Sequence, residues 1–189
     1  MTTFSILDVE IQEIEGGKTL FGDSLTTFPM AMVIVDPYTL ESSWILDTAD
    51  RVLSHFQGAD VRVAFVVAGS DPEGAASFLG PLSDRILTFV DKDKKLVKEL
   101  SIKSLPSFAV VRQDGSILGL AEGWDPSQWR DLAGSLAEMT NWSRPEIPSG
   151  DDPAAYKGTP ARGSVNQVIP ADVELVEKVI IRFAGDSGD

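Results

Sequence analysis

The sequence predicts an α/β fold, because strand-like apolar runs alternate with helix-like segments along most of the chain. The first observation is Met30–Val35, a nearly unbroken apolar run rich in β-branched residues, which is typical of a strand buried on both faces. The second is Asp36–Thr39, a loop that leads directly from this strand into a helical pattern. The third is Pro106, which stands where a later strand begins, since proline is not tolerated in the middle of a ladder.

The composition is that of an acidic chain without cysteine. Its 189 residues are 43% hydrophobic, which is enough for an ordinary core and indicates one domain with an appendage. The absence of cysteine excludes thiol catalysis, disulfide bonds and thiolate metal sites. With 29 acidic against 16 basic residues the formal net charge is −13, so we do not expect nucleic acid or an anionic membrane as a partner.

The chain also lacks the patterns of membrane insertion and export. No run of about 18 apolar residues could form a transmembrane helix. The first residues, Met1–Ser5, have neither the basic start nor the apolar stretch of a secretory signal. We therefore expect a cytoplasmic protein.

The N-terminal third predicts a β-hairpin followed by a buried strand and a long helix. Residues 7–11 alternate between apolar and polar, Glu15–Lys18 is a turn signal, and residues 19–21 read as a returning strand. After the buried strand, helical spacing predicts a helix over roughly 40–56, which Gly58 ends. The inward face of this helix is Trp44, Ile45, Thr48, Ala49, Val52, Leu53 and Phe56.

The rest of the regular pattern continues the alternation. Strands are predicted at 61–67, 86–90, 106–111 and 117–120, the last two joined by the turn Gln113–Ser116. Helices are predicted from Asp71 and Pro72, over about 92–100, and from Asp125 to about Thr140. The last helix has an inward face made of Trp129, Leu132, Ala133, Leu136 and Met139.

The composition changes after Trp142, which predicts three regions. Residues 1–142 form the folded domain, and residues 143–170 are a linker or disordered segment rich in Pro, Gly and Asp. Residues 171–189 hold an apolar segment, either strand or helix, and an acidic end. We expect the apolar segment to fold back on the domain rather than to be offered to a partner, because lone apolar segments rarely stay exposed.

Three features within residues 7–140 resemble the thioredoxin fold of the TlpA-like and MauD-like branch. Asp36–Ser42 stands where such proteins carry Cys-x-x-Cys, with Thr39 and Ser42 at the cysteine spacing. Ser104–Phe108 is similar to the loop whose cis-proline faces the cysteines, and Asp114-Gly115 followed by Gly123 matches the hairpin and the glycine before the last helix. The resemblance implies a three-layer α/β/α sandwich with an N-terminal β-hairpin and a C-terminal extension.

The chain departs from this family at the residues that carry its chemistry. The family's reaction needs a thiolate, and a threonine or serine hydroxyl is essentially never ionised and forms no disulfide. No base stands beside Thr39 or Ser42 in the sequence to activate either hydroxyl. We therefore expect a redox-inactive protein that is not an enzyme and needs neither a metal nor a cofactor.

The resemblance implies a protein-binding surface in place of the lost chemistry. In this family the active loop and the cis-proline bind extended peptide, partly by strand addition. The corresponding candidate partner-binding residues are Tyr38, Thr39, Leu40, Ser42, Trp44, Leu105 and Pro106. Trp44 could instead be a core residue, because aromatics at helical spacing usually pack inward. Cysteine-free relatives such as the HyaE-like hydrogenase-expression chaperones suggest an assembly role with a partner protein or peptide.

Other functions remain open or are disfavoured. A non-thiol enzyme could use the same cleft with Asp36 or Glu41 as a general acid, and the chain could be a structural subunit of a larger complex. Gly22–Leu25 matches the Gly-Asp-Ser-Leu block of GDSL esterases, but the chain lacks the C-terminal histidine that would activate Ser24. A lone His55 near a helix end is expected to be structural. The acidic pair Asp151-Asp152 is expected to be solvated charge rather than a calcium site.

Overall fold

The computed structural model describes residues 5–161, which form a mixed α/β structure around a seven-stranded sheet. These residues belong to a unit that ends at Thr159 and to the beginning of a second unit that starts at Pro160. The strands are β1 (Glu10–Glu13), β2 (Lys18–Leu20), β3 (Met30–Val35), β4 (Arg62–Ala68), β5 (Leu87–Asp91), β6 (Ser104–Leu105), β7 (Ser107–Val111), β8 (Ile117–Glu122) and β9 (Thr159–Pro160). The helices are α1 (Leu40–Trp44), α2 (Leu46–His55), α3 (Pro72–Leu79), α4 (Leu82–Arg85), α5 (Lys95–Glu99) and α6 (Pro126–Thr140).

The sheet is parallel at its centre and antiparallel at both edges. Its strand order is β2-β1-β5-β4-β3-β7-β8. Strand β3 pairs in parallel with β4, and β4 with β5, while β7, β8 and the hairpin of β1 and β2 are antiparallel. All six residues of β3 are fully buried, as its apolar run predicts for a central strand.

Apolar layers cover both faces of the sheet. Successive side chains of a strand point to opposite faces, so the odd-numbered residues of β3 and β4 lie on one face. They belong to a single buried cluster with residues of α2, α3 and α6, including Val52, Leu79 and Trp129. The even-numbered Met32 and Ile34 are equally buried on the other face, outside that cluster, as are Leu96 and Val97 of α5. The predicted three-layer α/β fold is thereby confirmed.

The structure differs from the predicted helices in three details. The helix predicted over 40–56 is two helices, α1 and α2, joined at Ile45; the Ser43 hydroxyl donates to the Leu40 carbonyl at 2.7 Å, a local bond that competes with the helical ladder. The charged helix is limited to α5, where the buried Asp91 carboxylate accepts the Val97 N–H at 3.0 Å. Met139 is 39% exposed rather than inward, because the buried face of α6 ends at Ala137.

The prediction of a loose linker from residue 143 is wrong for its described part. Residues 143–159, here called the strap, run back over the domain, with Pro145 and Ile147 buried and Ile147 inside the main core cluster. The sequence shows no periodicity there because single residues make the contacts at irregular intervals. Residues 162–170 of the predicted linker and the predicted apolar segment at 171–189 lie outside the described residues, and the three-region division stays a prediction. Among residues 5–161, every helix is too short or too polar to span a bilayer.

Candidate functional site

The loop after β3 is held by the carboxyl and carbonyl groups of Asp36. Asp36 is buried, its Oδ1 accepts the Tyr38 N–H at 2.9 Å, and its carbonyl oxygen accepts the Thr39 N–H at 3.2 Å. An aspartate that bonds the backbone two residues ahead is a common way to form a turn before a helix. This carboxylate therefore has a structural role, which weakens the case for Asp36 as a general acid.

Both hydroxyls at the cysteine spacing are engaged with the backbone. Thr39 is the N-cap of α1: its hydroxyl oxygen accepts the Ser42 N–H at 3.4 Å and its hydroxyl lies 3.2 Å from the Asp36 carbonyl, to which it donates. The Ser42 hydroxyl oxygen is fully buried and accepts the Asp36 N–H at 2.9 Å. Neither group is arranged as a nucleophile, so the pair acts as scaffold for the loop.

The proline-led loop adjoins this turn at the same edge of the sheet. Ile34 pairs with Ser107, so the end of β3 and the start of β7 lie side by side. The Leu105–Pro106 peptide bond is cis, and both residues are buried. The Pro106 carbonyl accepts the Gly123 N–H at 2.8 Å, which fixes the loop against the end of β8.

The strap covers this proline-led loop. Tyr156 and Trp124 form an antiparallel bridge with reciprocal N–H to carbonyl bonds of 2.9 and 3.0 Å. The Trp124 indole Nε1 donates to the Pro153 carbonyl at 2.8 Å. Gly158 lies against the Leu105 backbone, since a Cβ placed on it would be 2.5 Å from the Leu105 carbonyl oxygen. The backbone that precedes the cis-proline is thus occupied by the chain's own segment.

Tyr156 joins the strap to α1. Its ring meets Trp44 edge to face, with centroids 5.4 Å apart and planes at 88°, and its hydroxyl donates to the Glu41 carbonyl at 2.6 Å. Burial of the phenol, together with the nearby negative charge of Glu41, raises the pKa of Tyr156 above its ordinary value. The un-ionised phenol is the form that can donate this bond.

A polar cluster at Asp152 anchors the middle of the strap to α2. The Asp152 carboxylate pairs with Arg51 at 2.7 Å and accepts the Thr48 hydroxyl at 2.8 Å and the Ser149 N–H at 2.7 Å. Burial alone would raise the pKa of Asp152, but these donors outweigh it and hold that pKa below its ordinary value. The prediction that Asp152 is solvated charge is wrong, because its side chain is only 4% exposed.

The seven sequence-predicted binding residues separate into an exposed group and a buried group. Tyr38, Leu40 and Trp44 are 78%, 68% and 51% exposed, and we call these three residues the apolar crest. The alternative that Trp44 is a core residue is therefore wrong. In contrast, Ser42, Leu105 and Pro106 are buried and Thr39 is half-buried. The sequence contains no signal that would show which of the seven the strap covers.

Sequence reasoning missed the residues that touch this site from the strap. Tyr156 and Gly158 lie in the segment predicted to be a linker, and Trp124 was not among the predicted site residues. The only sequence signal was a single tyrosine two residues before a glycine within a Pro/Gly-rich stretch. This pattern alone does not predict a contact with the proline-led loop.

Two other candidates have structural roles. Ser24 lies within a 3-10 turn, Phe21–Leu25, and is almost fully buried, which agrees with a turn residue rather than a nucleophile. The His55 Nε2 lies 3.0 Å from the Ser143 carbonyl at the end of α2. Within residues 5–161, no group of three or more His, Asp or Glu residues is placed to hold a metal ion.

Comparison with known proteins relates this chain to others by fold alone. No protein-family model and no curated protein sequence matches it. Solved structures do match, among them MTB DsbF in its mixed oxidized and reduced forms, with a TM-score of 0.58, 14% identity, and coverage of 71% of this chain and 99% of that chain.

Two further structures are similar to the same degree. The thioredoxin domain of a thiol-disulfide oxidoreductase from Bacteroides vulgatus has a TM-score of 0.57 and 12% identity, covering 75% of this chain and 99% of that one. The exposed lipoprotein thioredoxin Etrx1 from Streptococcus pneumoniae has a TM-score of 0.53 and 16% identity, covering 70% and 98%. At these identities the likeness shows the fold and carries no activity over to this chain.

Proposed function

We propose that this cysteine-free chain with a thioredoxin fold is a redox-inactive module that binds a segment of a partner protein at the former redox loop, in an assembly or chaperone-like role. Without a thiol it cannot perform thiol-disulfide exchange, the chemistry for which the structurally similar oxidoreductase from Bacteroides vulgatus is named. The hydroxyls that replace the thiols are engaged with the backbone. A binding role is the use of this surface that requires no reactive group.

The apolar crest is the observation that carries the proposal. Tyr38, Leu40 and Trp44 lie within seven residues, each more than half exposed, on the loop and first helical turns after β3. Exposed apolar side chains grouped in this way mark protein interaction sites, and tyrosine and tryptophan are enriched among residues that dominate binding energy. An enzymatic use of the same cleft has no comparable support, because the buried Asp36 already bonds the loop backbone.

Capture of the tagged full-length chain from its native host tests this proposal with a matched pair of variants. Leu40→Asp places a charge in the crest at the first position of α1, where an acidic side chain suits the helix N-terminus and should not disturb folding. Leu20→Asp is the control, because Leu20 is also an exposed leucine, 44% exposed, but lies at the end of β2.

We expect one stoichiometric partner with the wild type and with Leu20→Asp, and at least a tenfold loss of that partner with Leu40→Asp. Equal recovery of the partner by the Leu40→Asp variant would contradict a binding role for the crest. A complex that survives both substitutions would instead favour a structural subunit that binds through another surface.

A further inference from the structure

The strap lies beside the proline-led loop in the manner of a bound extended peptide. Tyr156 exchanges both backbone hydrogen bonds with Trp124, at 2.9 and 3.0 Å. The Thr159 hydroxyl lies 3.3 Å from the Leu105 carbonyl, to which it donates. Main-chain pairing with an exposed edge, combined with pockets for single side chains, is the physical basis of recognition by strand addition.

The groove beneath the strap accepts only glycine at one position. A Cβ on Gly158 would lie 2.5 Å from the oxygen and 2.9 Å from the carbon of the Leu105 carbonyl, and backbone atoms cannot move aside as a flexible side chain can. On the opposite wall a Cβ on Gly123 would lie 2.8 Å from the Gly158 nitrogen, and Gly123 has a φ of +69°. Because of these two contacts, the groove is too narrow at the Gly158 position for any residue that has a side chain.

A second position of the groove fits a tyrosine. The Tyr156 and Trp44 rings meet edge to face, and the Tyr156 hydroxyl donates to the Glu41 carbonyl at 2.6 Å, so the site offers an aromatic wall and one hydrogen-bond acceptor. Tyrosine supplies both the ring and the donor. Together with the glycine position, this defines a Tyr-x-Gly spacing.

The strap is attached more weakly than a strand of the main sheet. Over residues 153–159 its backbone pairing is limited to the bridge at Tyr156 and the start of the two-residue strand β9, which pairs with β6. Ala154, Ala155 and Lys157 are exposed. Segments with few buried contacts open at a small fraction of the free energy of global unfolding. Trp44, one wall of the tyrosine position, is also part of the exposed crest, so the groove and the crest are continuous.

We infer that the strap is an internal occupant of a groove that also takes an extended Tyr-x-Gly segment of another protein, which binds by displacing residues 153–159. This inference rests on the proposed function, since it specifies the partner segment that the site would bind. The tethered strap competes with a free peptide at an effective concentration in the millimolar range. In the wild type the strap therefore occupies the groove and prevents the peptide from binding. Release of the strap opens the groove without altering any of its walls.

The test uses the full-length chain and a fluorescent peptide with the sequence of residues 150–160. Gly158→Ala in the protein adds a Cβ that the Leu105 backbone excludes, and should release the strap. Gly150→Ala is the matched control, the same change in the same segment with nothing within 4 Å of the added Cβ. Hydrogen exchange at the Trp124 and Tyr156 amides reports directly whether the strap is released.

We expect the Gly158→Ala protein to bind the peptide at least tenfold more tightly than the wild type does, and the Gly150→Ala protein to match the wild type. A peptide that itself carries Gly158→Ala should bind none of the three proteins. The proposal is overturned if the Gly158→Ala protein has released its strap and still does not bind the peptide. Protected amides in that variant would equally overturn it, because the groove would then not require glycine.

Three further measurements complete the test. Tyr156→Ala releases the strap without adding an atom, and should reproduce the gain in peptide binding if Gly158→Ala fails to fold. A wild-type dimer that exchanges straps, detected by light scattering, would assign the groove to a second copy and overturn a foreign partner. Leu20→Asp, outside both surfaces, should leave peptide affinity unchanged in the Gly158→Ala background. Peptide binding by the Gly158→Ala protein is measured separately from partner capture by the Leu40→Asp protein, so failure of the groove and failure of the crest give different results.

Discussion

At the scale of single residues, the site is defined by what Ser42 and Thr39 already bind. The Ser42 hydroxyl is buried and accepts the Asp36 N–H, and Thr39 caps the helix that follows. Hydroxyls in these positions satisfy donors at a strand-to-helix turn that would otherwise be left without partners. These backbone bonds therefore hold the turn between β3 and α1 on which the crest residues stand.

Ser42→Ala should lower the free energy of unfolding by about 1–3 kcal/mol, because the Asp36 N–H would be buried without an acceptor. The adjacent Ser43→Ala is the matched control, since Ser43 is exposed and bonds only within its own helical turn; its effect should be about 0.5 kcal/mol or less. Chemical denaturation of both variants measures the difference. Equal effects would contradict the structural role assigned to Ser42.

Tyr156 should ionise at a higher pH while the strap is in place than after its release. Its pKa is raised by burial and by the Glu41 charge, so its contribution to strap attachment is complete below the ordinary tyrosine pKa of about 10 and is lost as the pH rises through the raised value. The chain has two tyrosines, so Tyr38→Phe leaves Tyr156 as the only one. Ultraviolet titration should show a lower pKa when Gly158→Ala is added, and identical titrations would count against this contact.

At the scale of elements, the strap replaces regular secondary structure with a series of separate anchors. Ile147 enters the core, Asp152 pairs with Arg51, and Tyr156 and Gly158 meet the proline-led loop. Between these anchors the backbone needs no fixed pattern, which is why a Pro/Gly-rich composition can still pack. Hydrophobic periodicity does not reveal an ordered segment of this kind. We expect its attachment to the domain to weaken when any one anchor is lost.

Ile147→Ala distinguishes an anchored strap from a loose linker. Removal of a buried isoleucine side chain should lower the free energy of unfolding by about 2–4 kcal/mol, whereas a linker residue would contribute almost nothing. Ile117→Ala, at an exposed position of β8, should cost well under about 1 kcal/mol and serves as the control. Denaturant titration of the two variants decides, and similar values would contradict the burial of Ile147.

At the scale of the whole molecule, the sequence predicted the sheet and its helices but not what covers the site. Strands such as β3 are recognisable because burial on both faces requires a continuous apolar run. The contact between Tyr156 and Glu41 joins residues 115 positions apart, and the local sequence around either residue does not predict it. For the same reason the sequence does not show that Leu105 and Pro106, two of the predicted binding residues, are buried.

A chain that ends at Trp142 should be less stable than one that ends at Ala161. The shorter chain loses the buried Ile147 and leaves the indole Nε1 of the fully buried Trp124 without the Pro153 carbonyl. These losses together should lower the free energy of unfolding by about 3 kcal/mol or more. Calorimetry or denaturant titration of the two chains gives the comparison, and equal stability would show that the strap adds nothing to the fold.

The direction of the strap has a mechanical consequence. Thr159 and Gly158 follow Tyr156 and Asp152 along the strap, so a pulling force applied at Thr159 acts first on the Thr159 and Gly158 contacts, then on Tyr156, and last on the Asp152 pair with Arg51. Contacts loaded one after another separate at lower force than contacts loaded together. Tension applied at Thr159 would therefore uncover the proline-led loop before it loads the Asp152 anchor.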